Sequence, residues 1–329
     1  MSWSGRRVLV TGAAGFLGSH LCERLAGRGA EVTAFVRYGS RADAGNLELV
    51  PKELRDSLRV VRGNVEDAAL VEAAVAGQEV VFHLAALIGI PYSYEAPRSY
   101  VRTNVDGTLH VLEAARRHGT ARVVVTSTSE VYGTALRVPM DEGHPLRAHS
   151  PYAATKIAAD ALAEAFGRSF GVPVSVIRPF NAYGPRQSAR AVVPAIVSQA
   201  LLGPEVRLGA TDPVRDLTFV SDLVDAFLLV AESAGTVGRV VNAGSGTGIS
   251  VGALAREVLS LLGVERPIVQ DPERLRPAGS EVERLVCDAR LLRDLTGWAP
   301  VTPLREGLAA VIRFVSENQG LYRPERYAT

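Results

Sequence analysis

The feature that most limits what this chain can fold into is the turn Gly12-x-x-Gly15-x-x-Gly18. It follows the apolar run Val8-Leu-Val-Thr11 and opens a helical pattern that reaches about Arg28. Glycines let a backbone turn sharply and come close to another group. The helix behind them, beginning with Phe16 and Leu17, offers unpaired N–H groups and the positive end of its dipole. A pyrophosphate suits such a place. The spacing is GxxGxxG rather than GxGxxG, so taken alone it also suits a tight turn with no ligand.

The rest of the chain supplies the context. Short apolar runs at 31–36, 59–61, 80–84, 122–126 and 174–178 alternate with helical patterns at 68–76, 100–118 and 151–170. Strands separated by helices of that length imply parallel βαβ units. Near-continuous apolar strands imply a sheet covered on both faces. The expected fold is α/β, a Rossmann-type doubly wound parallel sheet with a smaller C-terminal α/β lobe. After Pro179 the rhythm breaks into Gly/Pro-bearing loops, a helix at about 194–202 and a short strand at Val206. Phe219 to Glu232 and then Val240–Ala243 read as one more unit returning to the sheet, and two helices follow at about 251–262 and 303–318. Residues 1–180 with 217–247 are expected to bind a dinucleotide; residues 181–216 and 248–329 are expected to bind a substrate.

Composition narrows the function. The chain has 329 residues, 47% hydrophobic and 22% charged, with a formal net charge of +1. That balance gives no electrostatic case for nucleic acid or an anionic membrane. No apolar run approaches the ~20 residues of a membrane span. Cys22 and Cys287 are expected to be reduced, in a cytoplasmic protein. No metal is called for.

The chemistry concentrates in two segments. Thr126-Ser-Thr-Ser-Glu-Val-Tyr-Gly133 ends the fifth strand, and Tyr152-Ala-Ala-Thr-Lys156 lies on the helix after it. A Tyr and a Lys spaced i, i+4 share one helix face. A phenol beside an ammonium is expected to have a lowered pKa and to act as a base. Of 36 basic residues only Lys52 and Lys156 are lysines, so a compact, tunable ammonium stands at 156 in a chain otherwise supplied with arginine. With Thr128 and Ser129 these form the candidate catalytic set. Glu130 is the addition that matters, because oxidation of an alcohol needs only the phenol and a carboxylate beside it suggests a second proton transfer.

Around the cofactor, the second strand ends in Arg37 rather than an acid. An acid would grip the ribose 2′-OH of NAD, whereas Arg37 suits the 2′-phosphate of NADP; NADP is the expected cofactor and NAD the alternative. Asn64 and Val65 end the third strand, and Leu84, Ala85 and Ala86 follow the fourth; Pro179 ends the sixth. All are placed against the dinucleotide. Asn104, inside a helix, is expected to bond a main-chain carbonyl or relay protons, and His83 is read as structural. On the substrate side Asn181, Arg186, Arg190, Val192, Arg215 and Arg276 are candidates, with the arginines suited to clamping a second diphosphate.

Taken together, Tyr152-x-x-x-Lys156, the glycine turn, Arg178-Pro-Phe-Asn181 and Arg215-Asp216 resemble the extended short-chain dehydrogenase/reductases that act on nucleotide sugars. The resemblance runs from about Val8 to Phe314. It implies a homodimer through a four-helix bundle built from the helices carrying Asn104 and Tyr152. Thr128-Ser-Glu130 resembles GDP-mannose 4,6-dehydratase. The segments His83–Tyr94, Ser127–Thr134 and Gly184–Ala191 are similar to UDP-N-acetylglucosamine 4,6-dehydratases of the legionaminic-acid-pathway type. Such enzymes imply a cofactor held tightly and regenerated at each turnover. Ser129 departs from the dTDP-glucose 4,6-dehydratases, which carry Asp there as the acid for the leaving hydroxyl. UDP-glucuronate decarboxylases share Thr-Ser-Glu-Val-Tyr-Gly, and 4-epimerases need only the Tyr and Lys. A non-catalytic nucleotide-sensing protein on this fold is the reading from a different class; the intact Tyr/Lys pair speaks against it.

Overall fold

The computed structural model describes residues 2–39, 43–277 and 279–322. Seven strands form the central sheet: β1 Arg7–Thr11, β2 Glu31–Arg37, β3 Arg59–Gly63, β4 Val80–His83, β5 Arg122–Thr126, β6 Val174–Pro179 and, later in the chain, Val240–Ala243. Between the last two lie β7 Asn181–Tyr183, β8 Val206–Leu208 and β9 Val214–Phe219, which makes Val240–Ala243 strand β10. The order β10-β6-β5-β4-β1-β2-β3 is parallel throughout. The chain reverses direction across the sheet between β1 and β4, and the crevice beyond the C-terminal ends of such strands is where ligands bind in open α/β sheets.

Alternate strand residues fill two cores, as a doubly covered sheet requires. Val8, Val10, Val32 and Ala34 pack with Leu21, Leu25 and Phe227 on one face. Leu9, Phe35, Val81 and Val123 pack with Val111, Leu112, Ala163 and Phe166 on the other. The return of the chain through the helix Val220–Glu232 to β10 matches the sequence pattern.

The second layer of structure is built from short pieces. β9 pairs with β7, with β11 Gly248–Ser250 and with β13 Arg284–Leu285; β8 pairs with β12 Ile268–Gln270. The helices Val192–Leu202, Val251–Leu262 and Leu304–Glu317 close a third core over them through Ile196, Val197, Leu254, Val258, Leu308 and Val311.

One expected helix is not regular. The stretch expected as a single helix at 100–118 is α-helical only over Gly107–His118, and Val101–Asp106 is a π-helical turn. The cause is visible in the bonds of Asn104. Its amide nitrogen donates to the Leu87 carbonyl at 3.0 Å and to Thr155 Oγ1 at 3.0 Å, and its oxygen accepts from the Leu87 N–H at 2.8 Å. Widening the turn aims this fully buried side chain at the backbone beyond β4. A short helix at Ile90–Glu95 was not expected from the pattern. Among the described residues no helix is long and apolar enough to cross a membrane.

Candidate active site

The glycine turn is fixed by close backbone approaches. Gly12 has φ +71°, and a Cβ there would stand 2.7 Å from the Ala85 nitrogen. A Cβ on Gly18 would overlap the Gly12 carbonyl oxygen. The helix Phe16–Gly27 starts from Gly15 with no side-chain cap, so its first N–H groups have no side chain to bond. Thr11, which the sequence reading passed over, ties the turn to β4. Its hydroxyl accepts from the N–H groups of Leu84 and Ala85, each at 3.2 Å, and bonds His83 Nδ1 at 2.8 Å. His83 Nε2 meets Thr108 at 3.1 Å, and burial holds its imidazole neutral, lowered to about 3. A crowded glycine turn that leads into a helix start with no side-chain cap fits a dinucleotide pyrophosphate. Asn64 caps its own turn by accepting from Glu66 N–H, Val65 is buried against Gly107, and Pro179 pairs with Ala243 at the end of β6. Arg37 is exposed where β2 ends beside Gly63.

The catalytic candidates meet above the end of β5. Thr128 caps a short 3₁₀ turn, Ser129–Tyr132, by accepting from the Glu130 N–H at 3.2 Å. The whole turn is buried. The helix Pro151–Phe170 starts at Ser150, whose hydroxyl caps Ala153 N–H, and Pro151 fills the first position. Tyr152 and Lys156 therefore project from the first turns of that helix, both buried. Tyr100 packs edge-on to Tyr152, ring centroids 6.3 Å apart.

The expected lowering of the phenol does not occur. Burial pushes the Tyr152 hydroxyl well above its ordinary value; a hydrogen bond to Thr128 draws it down, and the Glu130 carboxylate pushes it up again. Lys156 is the group that moves toward neutrality, lowered to about 8 by burial. Its ammonium donates to the Thr126 carbonyl at 2.6 Å rather than standing against the phenol. In a dry pocket the penalty for charge outweighs the benefit of one neighbour.

The sequence candidates on the substrate side separate into groups. Arg276 Nη1 lies 3.8 Å from Glu130 Oε2 and 3.7 Å from Glu281 Oε1, and Arg215 Nη2 lies 3.0 Å from the same Glu281 oxygen. Glu130, Arg276 and Arg215 are thus brought together through Glu281, a residue no sequence motif marked. Asp216, the other half of Arg215-Asp216, is a loop anchor: it accepts from Ser245, Gly246 and Cys287 N–H groups. Arg190 approaches Gly89 and acts on Tyr100, beside Tyr152. Asn181 opens β7 with its side-chain oxygen buried and unbonded, and Val192 begins the helix Val192–Leu202.

Arg186 is placed elsewhere. Its guanidinium pairs with Glu23 at 2.6 Å and donates to the Leu49 carbonyl, and its backbone carbonyl accepts from Asn46. It clasps the loop after β7 to the first helix and does not join the Glu130 group. The physical reason is that its charge is already answered by Glu23 on the first helix; its backbone is left-handed at φ 68°.

A family model described as GDP-mannose 4,6 dehydratase matches residues 9–311. The chain belongs to the extended short-chain dehydrogenase/reductase family of epimerases and dehydratases. It is 36% identical to a UDP-glucose 4-epimerase of Mycolicibacterium smegmatis over 94% of this chain and 98% of that protein. It is 36% identical to a dTDP-glucose 4,6-dehydratase of Streptomyces griseus over 96% of each chain. Among solved structures it resembles the dTDP-glucose 4,6-dehydratase DesIV of Streptomyces venezuelae, solved with NAD and TYD bound. There the TM-score is 0.88 and the identity 30%, over 97% of this chain and all of that one. Epimerases and dehydratases of this family lie at similar distances, so overall likeness does not choose between them; the side chains at the site must.

Proposed function

We propose that the protein is a nucleotide-sugar 4,6-dehydratase that uses NADP and acts on UDP-GlcNAc, giving a 4-keto-6-deoxy sugar nucleotide. The observation that carries this reading is Glu130, a carboxylate buried on the same turn as Thr128 and close enough to Tyr152 to raise its proton affinity. Epimerisation moves a proton only at the C4 hydroxyl. Water loss across C5 and C6 needs a second group, and Glu130 supplies it.

In its ionised form Tyr152 takes the C4 hydroxyl proton; the Lys156 ammonium, anchored on the Thr126 carbonyl, favours that form against the cost of burial, and Thr128 donates to the C4 oxygen. The chemistry NADP supplies when bound is reversible storage of a hydride, taken from C4 and returned to C6. The 4-keto group acidifies C5–H. Glu130 removes that proton and delivers it to the departing C6 hydroxyl, directly or with Ser129 between them, so the hydroxyl leaves as water. C5 then regains a proton from solvent as the hydride is returned to C6, and Tyr152 gives the C4 hydroxyl proton back to solvent, so the protons balance over the turnover. Since the cofactor ends as it began, it stays bound and no co-substrate is needed.

The turn at Gly12, Gly15, Phe16, Leu17 and Gly18 holds the pyrophosphate, with Leu84 to Ala86, Asn64, Val65 and Pro179 around the rest of the dinucleotide; Asn104, expected there too, is committed to the Leu87 backbone and supports that wall from behind. Arg37, exposed at the end of β2, suits the 2′-phosphate and supports NADP. Residues 1–180 with 217–247 form the cofactor lobe. Residues 181–216 and 248–329, of which 278 and 323–329 lie outside the described residues, form the sugar-nucleotide lobe, with Arg215 and Arg276 toward the diphosphate. Val101, 47% exposed on the helix of Asn104, supports a homodimer through that helix and the helix of Tyr152. Two buried free cysteines support a cytoplasmic location.

A 4-epimerase is the second reading, favoured by the identity to the UDP-glucose 4-epimerase and by the sufficiency of Tyr152 and Lys156 for that reaction. The test is to incubate the purified protein with UDP-GlcNAc, UDP-glucuronate and GDP-mannose and follow mass. Loss of one water from UDP-GlcNAc is the expected result. Loss of carbon dioxide from UDP-glucuronate identifies a decarboxylase, an isomer of unchanged mass an epimerase, and binding without turnover a sensor. In Glu130→Gln water loss should fall by about 10²–10⁴; full water loss in that variant refutes the role given to Glu130.

A further inference from the structure

Behind Tyr152 and Lys156 the same helix carries a further buried polar residue, Asp160, so that positions 152, 156 and 160 repeat every turn on one face. Asp160 is held through one oxygen only. Ser127 Oγ donates to Oδ2 at 2.8 Å, and Arg178 reaches the same oxygen through Nε and Nη2, both at 2.9 Å. Arg178 is fixed in turn by Tyr132, whose hydroxyl accepts at 3.0 Å and donates to Asn242 at 2.7 Å. The other Asp160 oxygen, Oδ1, is buried and has no hydrogen-bond partner; Thr126 Oγ1, on the residue whose carbonyl receives Lys156, is buried and unbonded as well. A carboxylate with an uncommitted buried oxygen is costly unless a charge answers it.

The charged groups near Lys156 are few. His83 faces it from β4, neutral to about pH 3. Tyr152 and Asp160 flank it on its own helix, Arg178 stands behind Asp160 on β6, and Glu130 lies beyond Tyr152. Asp160 is the negative group on the Lys156 side of this set, and its charge favours the ammonium against the cost of burial.

We propose that Asp160 is a positioning residue for Lys156: clamped by Ser127 and Arg178, with Ser127 next to the Thr126 carbonyl that receives the ammonium, its carboxylate sits one helical turn away on the same face and favours the charged ammonium inside the protein. The inference rests on the role proposed above for Lys156. Its test reads Lys156 itself, and so is separate from the identity of the reaction. Because the chain has only two lysines, [13Cε]-lysine labelling of the full-length protein gives two signals, and Lys52→Arg assigns them. In a pH titration followed by NMR, wild-type Lys156 should titrate near 8. Asp160→Asn keeps an acceptor for Ser127 and Arg178 but removes the charge, and should lower the midpoint by about one unit or more. Asp160→Glu restores the charge and should bring the midpoint back toward wild type, which loss of packing alone would not do. If Asp160→Asn does not fold, Asp160→Gln supplies the same neutral amide on a longer stem and should also titrate below wild type. A Lys156 midpoint within a few tenths of wild type in the folded Asn or Gln variant overturns the proposal.

Discussion

Replacing Gly12 by Ala should damage the cofactor turn in two separable ways. At φ +71° an alanine side chain meets its own backbone, at about 1–2 kcal/mol. The added Cβ also falls 2.7 Å from the Ala85 nitrogen and 2.9 Å from the Ala85 Cα and the Leu84 carbonyl carbon. All three are backbone atoms fixed by β4 and by the Thr11 hydroxyl, so they cannot swing aside as a side-chain end would, and the overlap adds about 1–3 kcal/mol. The total is about 2–5 kcal/mol, which for a chain of this size lowers Tm by roughly 4–10 °C. Gly119→Ala is the control. Its φ is +61° with no atom within 4 Å of the new Cβ, so it carries the conformational cost without the overlap. Differential scanning calorimetry of both variants isolates the steric part. The same scans with added NADP read binding, because a ligand of the folded state raises Tm by mass action. Gly119→Ala should keep the full NADP-dependent rise, and Gly12→Ala should lose most of it. Equal stability of the two variants, or an undiminished NADP response in Gly12→Ala, would refute the claim that a rigid backbone contact defines this turn.

Asn104→Leu should cost about 2–4 kcal/mol in urea denaturation, because it strands both backbone groups of Leu87 inside the protein. Lys156→Met should abolish activity yet stabilise the fold. Lys156 titrates near 8 in the folded protein against 10.5 when unperturbed, so below pH 8 its charge is retained at a cost of up to about 3 kcal/mol. The advantage of Lys156→Met, measured by denaturation at several pH values, should be largest at and below pH 8 and fade toward pH 10.5, where the unfolded lysine also loses its proton. Arg37→Asp should weaken NADP binding tenfold or more and spare NAD, as measured by fluorescence titration with each cofactor; unchanged NADP affinity would remove the argument for a 2′-phosphate contact.

Much of the architecture was legible because it is written in short-range patterns. Apolar runs of strand length, helical periodicity and three glycines after Thr11 predicted each parallel strand up to β6 and the return through Val220–Glu232 to β10. The π-helical turn at Val101–Asp106 was not legible, since nothing in Val-Arg-Thr-Asn-Val-Asp says that Asn104 must reach Leu87. Thr11 had a signal in retrospect, a hydroxyl at the end of a strand immediately before the glycine turn. Glu281 had none: its meaning lies in meeting Arg215 and Arg276, which are far apart in sequence from each other.

By itself the sequence determined which side chains are available to do chemistry: one Tyr/Lys pair on a helix, one carboxylate on the turn before it, and glycines where a phosphate can approach. Those follow from spacing, and spacing along a strand or helix sets direction. The tertiary structure decided which charges meet and how much each costs. It sent Arg186 to Glu23 and Arg276 to Glu130, raised Tyr152 where a neighbouring ammonium was expected to lower it, and set Asp160 behind Lys156. The physical reason is that burial, unlike spacing, is a property of everything packed around a group, and in a low-dielectric interior it outweighs a single neighbour.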